Sequence, residues 1–407
     1  MSHVCTYWRD VALGTPLLWN SIDVYSIRSI ECVSRYLDRS RNCLLDVRFD
    51  IWGSDRFLNG EISGAKILPV VDIVVQHIHR WKTLLVLASN STTTASILST
   101  LAHLEAPSLE RIRIVDDGGD IDDEPPSPSG VFQPRPGVFI GGAPRLAAVW
   151  VNNLRVLPPL TNVTTLHLHT PSYFSSAELN PSSLKSLTAT CPSLSSLSIR
   201  GNFRGDWPHG GPVTIPSLRS LWFESGDTLA SSFLATVSMP NLVSLWLDCP
   251  QYRVIQRIFN STSRPNFPAL KYLTLQGFDF YASTHYAKAF PTITALHLPF
   301  CNLFHITFLK ETLIENDHSR WPNLDTIVFR SLRDTHAKKF STVIDDMVRE
   351  RHNSIHPIRR LLVDKDVLAN LYSADSIGAR TDLKVLSADS FDDPWWIMSH
   401  MDSGDQI

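Results

Sequence analysis

Two histidine pairs are the side chains best spaced for metal chemistry. In an extended chain His77-x-His79 and His167-x-His169 would each send two imidazoles to one side, as a divalent metal requires of neighbouring nitrogen ligands. Neither pair has a third ligand close by in sequence, so both read as exposed histidines with no metal expected. The six cysteines (5, 32, 43, 191, 249 and 301) are scattered, with no C-x-x-C pair, and read as idle thiols in a reducing compartment. Val115–Gly130 holds five Asp and one Glu among dense Pro and Gly, and the run continues to Gly137. It lacks the ligand register of a calcium loop and reads as a solvated insertion. No G-x-S-x-G elbow, Walker-type loop or H-E-x-x-H is present, and the glycines at 201–205 and 209–211 lack the strand-to-helix context of a phosphate cradle. No catalytic residue, cofactor or enzymatic activity is expected.

The elements that must position any site are set by a recurring phrase, x-Pro-x-Leu-x-x-Leu-x-Leu. Its prolines fall at 192, 216, 240, 268, 291 and 322, in steps of 24, 24, 28, 23 and 31 residues. The closing Leu-x-Leu alternates with period two and makes a short strand with one face buried. Proline lacks an N–H and so marks the turn into each strand. One such unit cannot bury its leucines alone, and stacked units lay their strands side by side in a parallel sheet. Weaker copies begin at Leu109, Leu146, Val163, Leu184, Ile358 and Leu383, and the segments from Leu44 and Trp81 are candidate first strands. The expected fold class is α/β, a leucine-rich-repeat-like solenoid with parallel strands curved as a horseshoe.

Composition fits that fold. Of 407 residues 43% are apolar, enough for a long core, and the net charge of −3 disfavours a nucleic-acid partner. No apolar run approaches the roughly 20 residues of a membrane helix. A cytoplasmic or nuclear location with no membrane partner is therefore expected.

Alternation also places the side chains between the leucines on the concave face. One row there runs His167, Thr188, Ser198, Trp222, Trp246, Thr274, His297 and Val328. Its neighbour runs His169, Thr190, Arg200, Glu224, Asp248, Gln276, Pro299 and Arg330. With strands about 4.8 Å apart, Trp222 and Trp246 should lie side by side, flanked by Glu224 and Asp248. Arg200, Trp222, Glu224, Trp246, Asp248, Gln276 and His297 are the expected contacts for a protein segment. The competing reading packs the two indoles on each other or under a loop.

At the N-terminus Val4, Trp8, Val11 and Ala12 share one face of a helix that Gly14 closes, and Thr15-Pro16 begins a turn delivering Leu18 and Trp19. This could simply cap the stack. The run Val4-Cys5-x-x-Trp8-Arg9-x-Val11-Ala12, then Thr15-Pro16-x-Leu18-Trp19 and Ile22, resembles the second half of an F-box from the large families of mushroom-forming fungi. Tyr36–Val47 and His77–Lys82 resemble the connecting region of the same proteins.

The resemblance implies an adaptor-binding surface at Val4, Trp8, Val11, Ala12, Leu18 and Trp19, contacting a Skp-type adaptor and through it a cullin ligase. The repeats would then grip a protein substrate while other subunits do the chemistry. The chain departs from the family in starting without the Leu-Pro-x-Glu helix of a full F-box, so adaptor affinity is expected to be lower. The alternative is a repeat scaffold that binds a partner without a ligase. The expected division is 1–25 half F-box, 26–105 connecting region and irregular repeats, 106–390 solenoid with the acidic loop at 115–137, and 391–407 tail.

Overall fold

The computed structural model describes residues 5–25, 30–50, 64–88, 91–116, 137–152, 156–170, 177–201, 203–204, 207, 213–225, 227–248, 267–277, 283–299, 303–314, 321–331 and 337–386. The chain forms two compact units, Met1–Gly205 and Asp206–Ile407. It is an α/β protein built on parallel strands, compatible with a stack of repeats.

Among the described residues of the first unit, seven strands of one parallel sheet follow one another in chain order: β1 (Ser21–Tyr25), β2 (Leu45–Asp50), β3 (Trp81–Ala88), β4 (Arg111–Asp116), β5 (Ala148–Val151), β6 (Thr165–Thr170) and β7 (Ser196–Gly201). Each pairs with the next in parallel. The second unit repeats the arrangement with β8 (Ser220–Ser225), β9 (Ser244–Asp248), β10 (Tyr272–Gln276), β11 (Ala295–Pro299), β12 (Thr326–Arg330), β13 (Arg360–Val363) and β14 (Asp382–Val385).

The repeated phrase explains this order. Its first residue accepts a hydrogen bond from the leucine three positions on, as in Leu194 N–H to Cys191 O (3.2 Å), Leu242 to Met239 (3.1 Å) and Leu324 to Trp321 (3.0 Å). Proline thus occupies the second position of a β-turn, where its fixed φ is an advantage. The residue before proline is itself a core position, since Cys191, Ile215, Met239, Phe267, Phe290 and Trp321 are all buried. The carbonyl just before a strand then takes two N–H groups from the following repeat. Arg219 O receives Val243 and Ser244, and Val243 O receives Lys271 and Tyr272, which keys each turn to its neighbour.

On the leucine side the chain returns mostly through helices. In the first unit these are α1 (Thr6–Gly14), α2 (Ile30–Ser40), α3 (Gly64–Val75), α4 (Ser91–Leu101) and α5 (Pro181–Thr190). Val33, Leu37, Val71, Val74, Leu101, Leu184 and Leu187 are among the buried apolar residues through which α2 to α5 pack. Among the described residues of the second unit the longest is Ala337–His352, with Phe340, Ile344, Met347 and Val348 inside.

One expectation needs correction, and two further segments gain a definite conformation. Leu184–Ala189 is helix rather than strand, because Asn180 caps it by accepting from Ser183 N–H at 2.8 Å and Pro181 occupies the first turn. Thr188 and Thr190 therefore leave the strand rows, and β6 pairs directly with Ser196–Gly201. His77 and His79 are not extended, since Ile78–Arg80 is a 3-10 turn. Ser21–Tyr25, read with the N-terminal motif, is a sheet strand with Ile22 and Val24 buried.

Candidate functional site

The N-terminal segment forms as its residues suggest. Helix α1 ends at Gly14, Thr15 closes it by donating its hydroxyl to Val11 O at 2.7 Å, and Pro16–Trp19 makes a 3-10 turn. No residue of α1 or of this turn is buried. Trp8 is 61% exposed and Leu18 60%, with Val11, Tyr7, Leu13 and Leu17 also open to solvent. Ala12 and Trp19 are half-buried. Trp19 is the anchor: its indole N–H donates to Ala12 O at 2.7 Å, and its ring lies edge-on to Tyr36 at 4.9 Å and under the Arg39 guanidinium at 4.4 Å. Val4 lies outside the described residues.

The register of the opposite sheet face is as the alternation requires. Trp222 pairs with Trp246, Trp246 with Thr274, Thr274 with His297 and His297 with Val328. Glu224 pairs with Asp248 and Asp248 with Gln276. The exposure is not as expected. Trp222, Trp246, Thr274, His297 and Val328 are all buried, as are His167 and Ser198 in the first unit. The expected contact row at Trp222, Trp246 and His297 is thus interior, and a partner could reach only the neighbouring row. Arg200, Glu224, Asp248 and Gln276 there are half-buried. The side chains of the row pack on one another, Trp222 stacked on Trp246 with Tyr272 beside them, which accounts for the inversion.

Within the buried row the contacts are aromatic. The Trp246 ring meets His297 edge-on at 5.9 Å, and His297 Nδ1 lies 3.4 Å from Thr274 Oγ1. Burial, with the Arg330 guanidinium adding to it, holds His297 well below the ordinary histidine range.

The first unit carries a second stack that pattern reading did not assemble. Arg113 and Trp150, on β4 and β5, are register partners, and so are Trp150 and His167 on β6. The Arg113 guanidinium carbon lies 3.8 Å from the Trp150 ring centre, and Trp150 stacks on His167 at 5.2 Å and 29°. Burial, then Arg200, then Arg113 push His167 down to about 4, so its imidazole is neutral at pH 7. Arg113 and Trp150 sit at the middle of segments already recognisable as strands, and the same alternation places them beside His167. His169 is half-buried and follows on the same strand.

Among the described residues no group of three or more His, Cys, Asp or Glu could hold a metal ion. No helix there is long and apolar enough to cross a membrane. Cys5 is exposed, whereas Cys191 is buried and its thiol is pushed up to about 12.

No protein-family model matches the chain, and no curated protein matches it. A solved structure similar to it is a Bacteroides fragilis protein determined by a structural genomics consortium. That protein shares 12% identity over 87% of this chain and 77% of its own, with a TM-score of 0.34.

Proposed function

We propose that this chain is the substrate-receptor subunit of a Skp-cullin-F-box-type ubiquitin ligase. The observation that carries the reading is the N-terminal helix and turn, which bury nothing and expose six large apolar side chains between Tyr7 and Leu18. Exposed apolar side chains concentrated in so short a segment mark a protein contact. Trp19 holds the segment to α2, so Trp8, Val11 and Leu18 are displayed on a fixed support. In this division of labour the adaptor covers that surface, and the half-buried row at Glu224, Asp248 and Gln276 of the second unit meets the substrate.

The test is a pull-down of the purified full chain with a fungal Skp-type adaptor, beside Trp8→Ala/Leu18→Ala. Capture by the intact chain and loss in the double variant supports the receptor. If the intact chain does not capture the adaptor, the receptor reading fails and a repeat scaffold without a ligase takes its place. Trp19 is left unchanged because its replacement would release the segment rather than its surface.

A further inference from the structure

Where β3, β4, β5 and β6 begin, the first unit has an open groove of about 700 Å3 lined by Lys82, Glu110, Arg111, Arg145, Thr164 and Thr165 among others. Its floor is fixed backbone. Glu110 O accepts from Ala147 and Ala148 at 2.9 and 3.1 Å, and Ala147 O accepts from Thr164 and Thr165 at 2.9 and 3.0 Å. Arg111 and Arg145 are exposed and Lys82 is half-buried. None of the three cations has a salt-bridge partner among the described residues, and Glu110 is the one acid against them.

A second observation adjoins the groove. Arg111, Ala148 and Thr165 are successive register partners, and the next row along the same face is Arg113, Trp150 and His167, then Ser198. Trp150 Nε1, His167 Nε2 and Ser198 Oγ are buried with no hydrogen-bond partner. Ser198 is 1% exposed and His167 7%. Three adjacent strands thus hold three unanswered polar atoms in the row next to a groove rich in cations, and the Trp150 indole N–H is the donor nearest its lining strands.

We propose that this groove binds an extended acidic segment of a partner polypeptide. Its carboxylates lie against Lys82, Arg111 and Arg145, and an acceptor on its inner side answers the Trp150 indole N–H. Three strand spacings give the site a length of about 14 Å, the reach of about four extended residues. Three cations on a chain of net charge −3 suit a short acidic peptide better than a nucleic-acid strand, which the rest of the surface would repel. The assignment does not depend on whether the N-terminus docks to an adaptor.

The test is fluorescence anisotropy on the full chain with a labelled glutamate-rich octapeptide, its glutamine counterpart and a single-stranded oligonucleotide. The glutamate peptide should bind, the glutamine peptide should not, and Arg111→Glu/Arg145→Glu should weaken binding at least tenfold. Both arginines are exposed, so the variant should keep its melting temperature. Equal binding of the two peptides, an unchanged affinity in the double variant, or tighter binding of the oligonucleotide overturns the proposal.

Discussion

Trp222 and Trp246 stand directly opposite each other on neighbouring parallel strands, and their indoles stack at 4.4 Å with 17° between the planes. They are 4% and 6% exposed, and half-buried Tyr272 packs against them. The pair is therefore core, and its first consequence is stability. Trp246→Ala should cost about 3–5 kcal/mol, the usual range for deleting a buried large aromatic. Urea unfolding measures this, and a loss below about 1 kcal/mol would show a ring on the surface.

That pair also marks the limit of what the residue pattern conveyed. Leu-x-Leu alternation named the leucine side correctly at Leu221 and Phe223, Leu245 and Leu247, and Leu273 and Leu275, because period two is a geometric property of any strand. It could not report burial of the other side. Alternation put Ser198, Trp222, Thr274 and His297 on the concave side, and only the fold reveals that they are buried there, the tryptophans by packing on each other. Leu184 and Leu187 failed for another reason. A three-residue spacing of leucines satisfies both the repeat and a helix, and Asn180-Pro181 decides for the helix. The apolar N-terminus was legible because a helix and turn closed by Gly14 and Thr15-Pro16 are local structures. The Arg113–Trp150–His167 stack was recoverable from strands already recognised, but it required exact knowledge of which strands are neighbours.

Acid should destabilise the fold through His167. Its folded-state value of about 4 lies below the ordinary 6.5, so from pH 6.5 downward the unfolded chain takes a proton that the folded chain refuses. Stability is therefore lost as pH falls from about 6.5 to about 4, and the loss levels off below. At pH 5 this one residue should account for about 2 kcal/mol. His305 is lowered to about 4 by burial and acts in the same direction. His167→Gln should shrink the difference in unfolding free energy between pH 7 and pH 5 by about that amount. An unchanged pH dependence would mean that the imidazole meets solvent.

Two glycines should respond oppositely to alanine. Gly201, at the end of β7, has φ +101°, and a Cβ there would collide with the backbone carbonyl of its register partner Thr170. The conformation alone costs about 1–3 kcal/mol for a residue with a side chain, and the collision adds to it. At Gly14 a new Cβ meets nothing within 4 Å. Gly201→Ala should lower the melting temperature by several degrees, while Gly14→Ala should leave it unchanged or raise it slightly.

The cysteines should separate by reactivity in the native state. Exposed Cys5 should take a thiol reagent at once, while Cys191, 1% exposed and with its thiolate disfavoured, should react only on unfolding. Peptide mapping after a brief native pulse distinguishes them. Labelling of Cys191 at the same rate as Cys5 would show that the turn before β7 opens readily.

Trp8 and Trp19 should behave as opposites although both belong to the same short segment. Trp8 is exposed and touches Tyr7 edge-on at 5.5 Å, so Trp8→Ala should change stability by no more than about 0.5 kcal/mol. Trp19 joins α1 to α2 through one hydrogen bond, one ring contact and one cation–π contact, so Trp19→Ala should free the N-terminus from the first unit. Limited proteolysis reads the difference. Trp19→Ala should be cut rapidly before β1, whereas Trp8→Ala should resist as the unaltered chain does. If both variants are cut alike, α1 is not held by Trp19, and a loss of partner binding in any N-terminal variant would report unfolding of the segment. If they differ as expected, lost binding in Trp8→Ala is lost contact, because the helix that displays the ring is still in place.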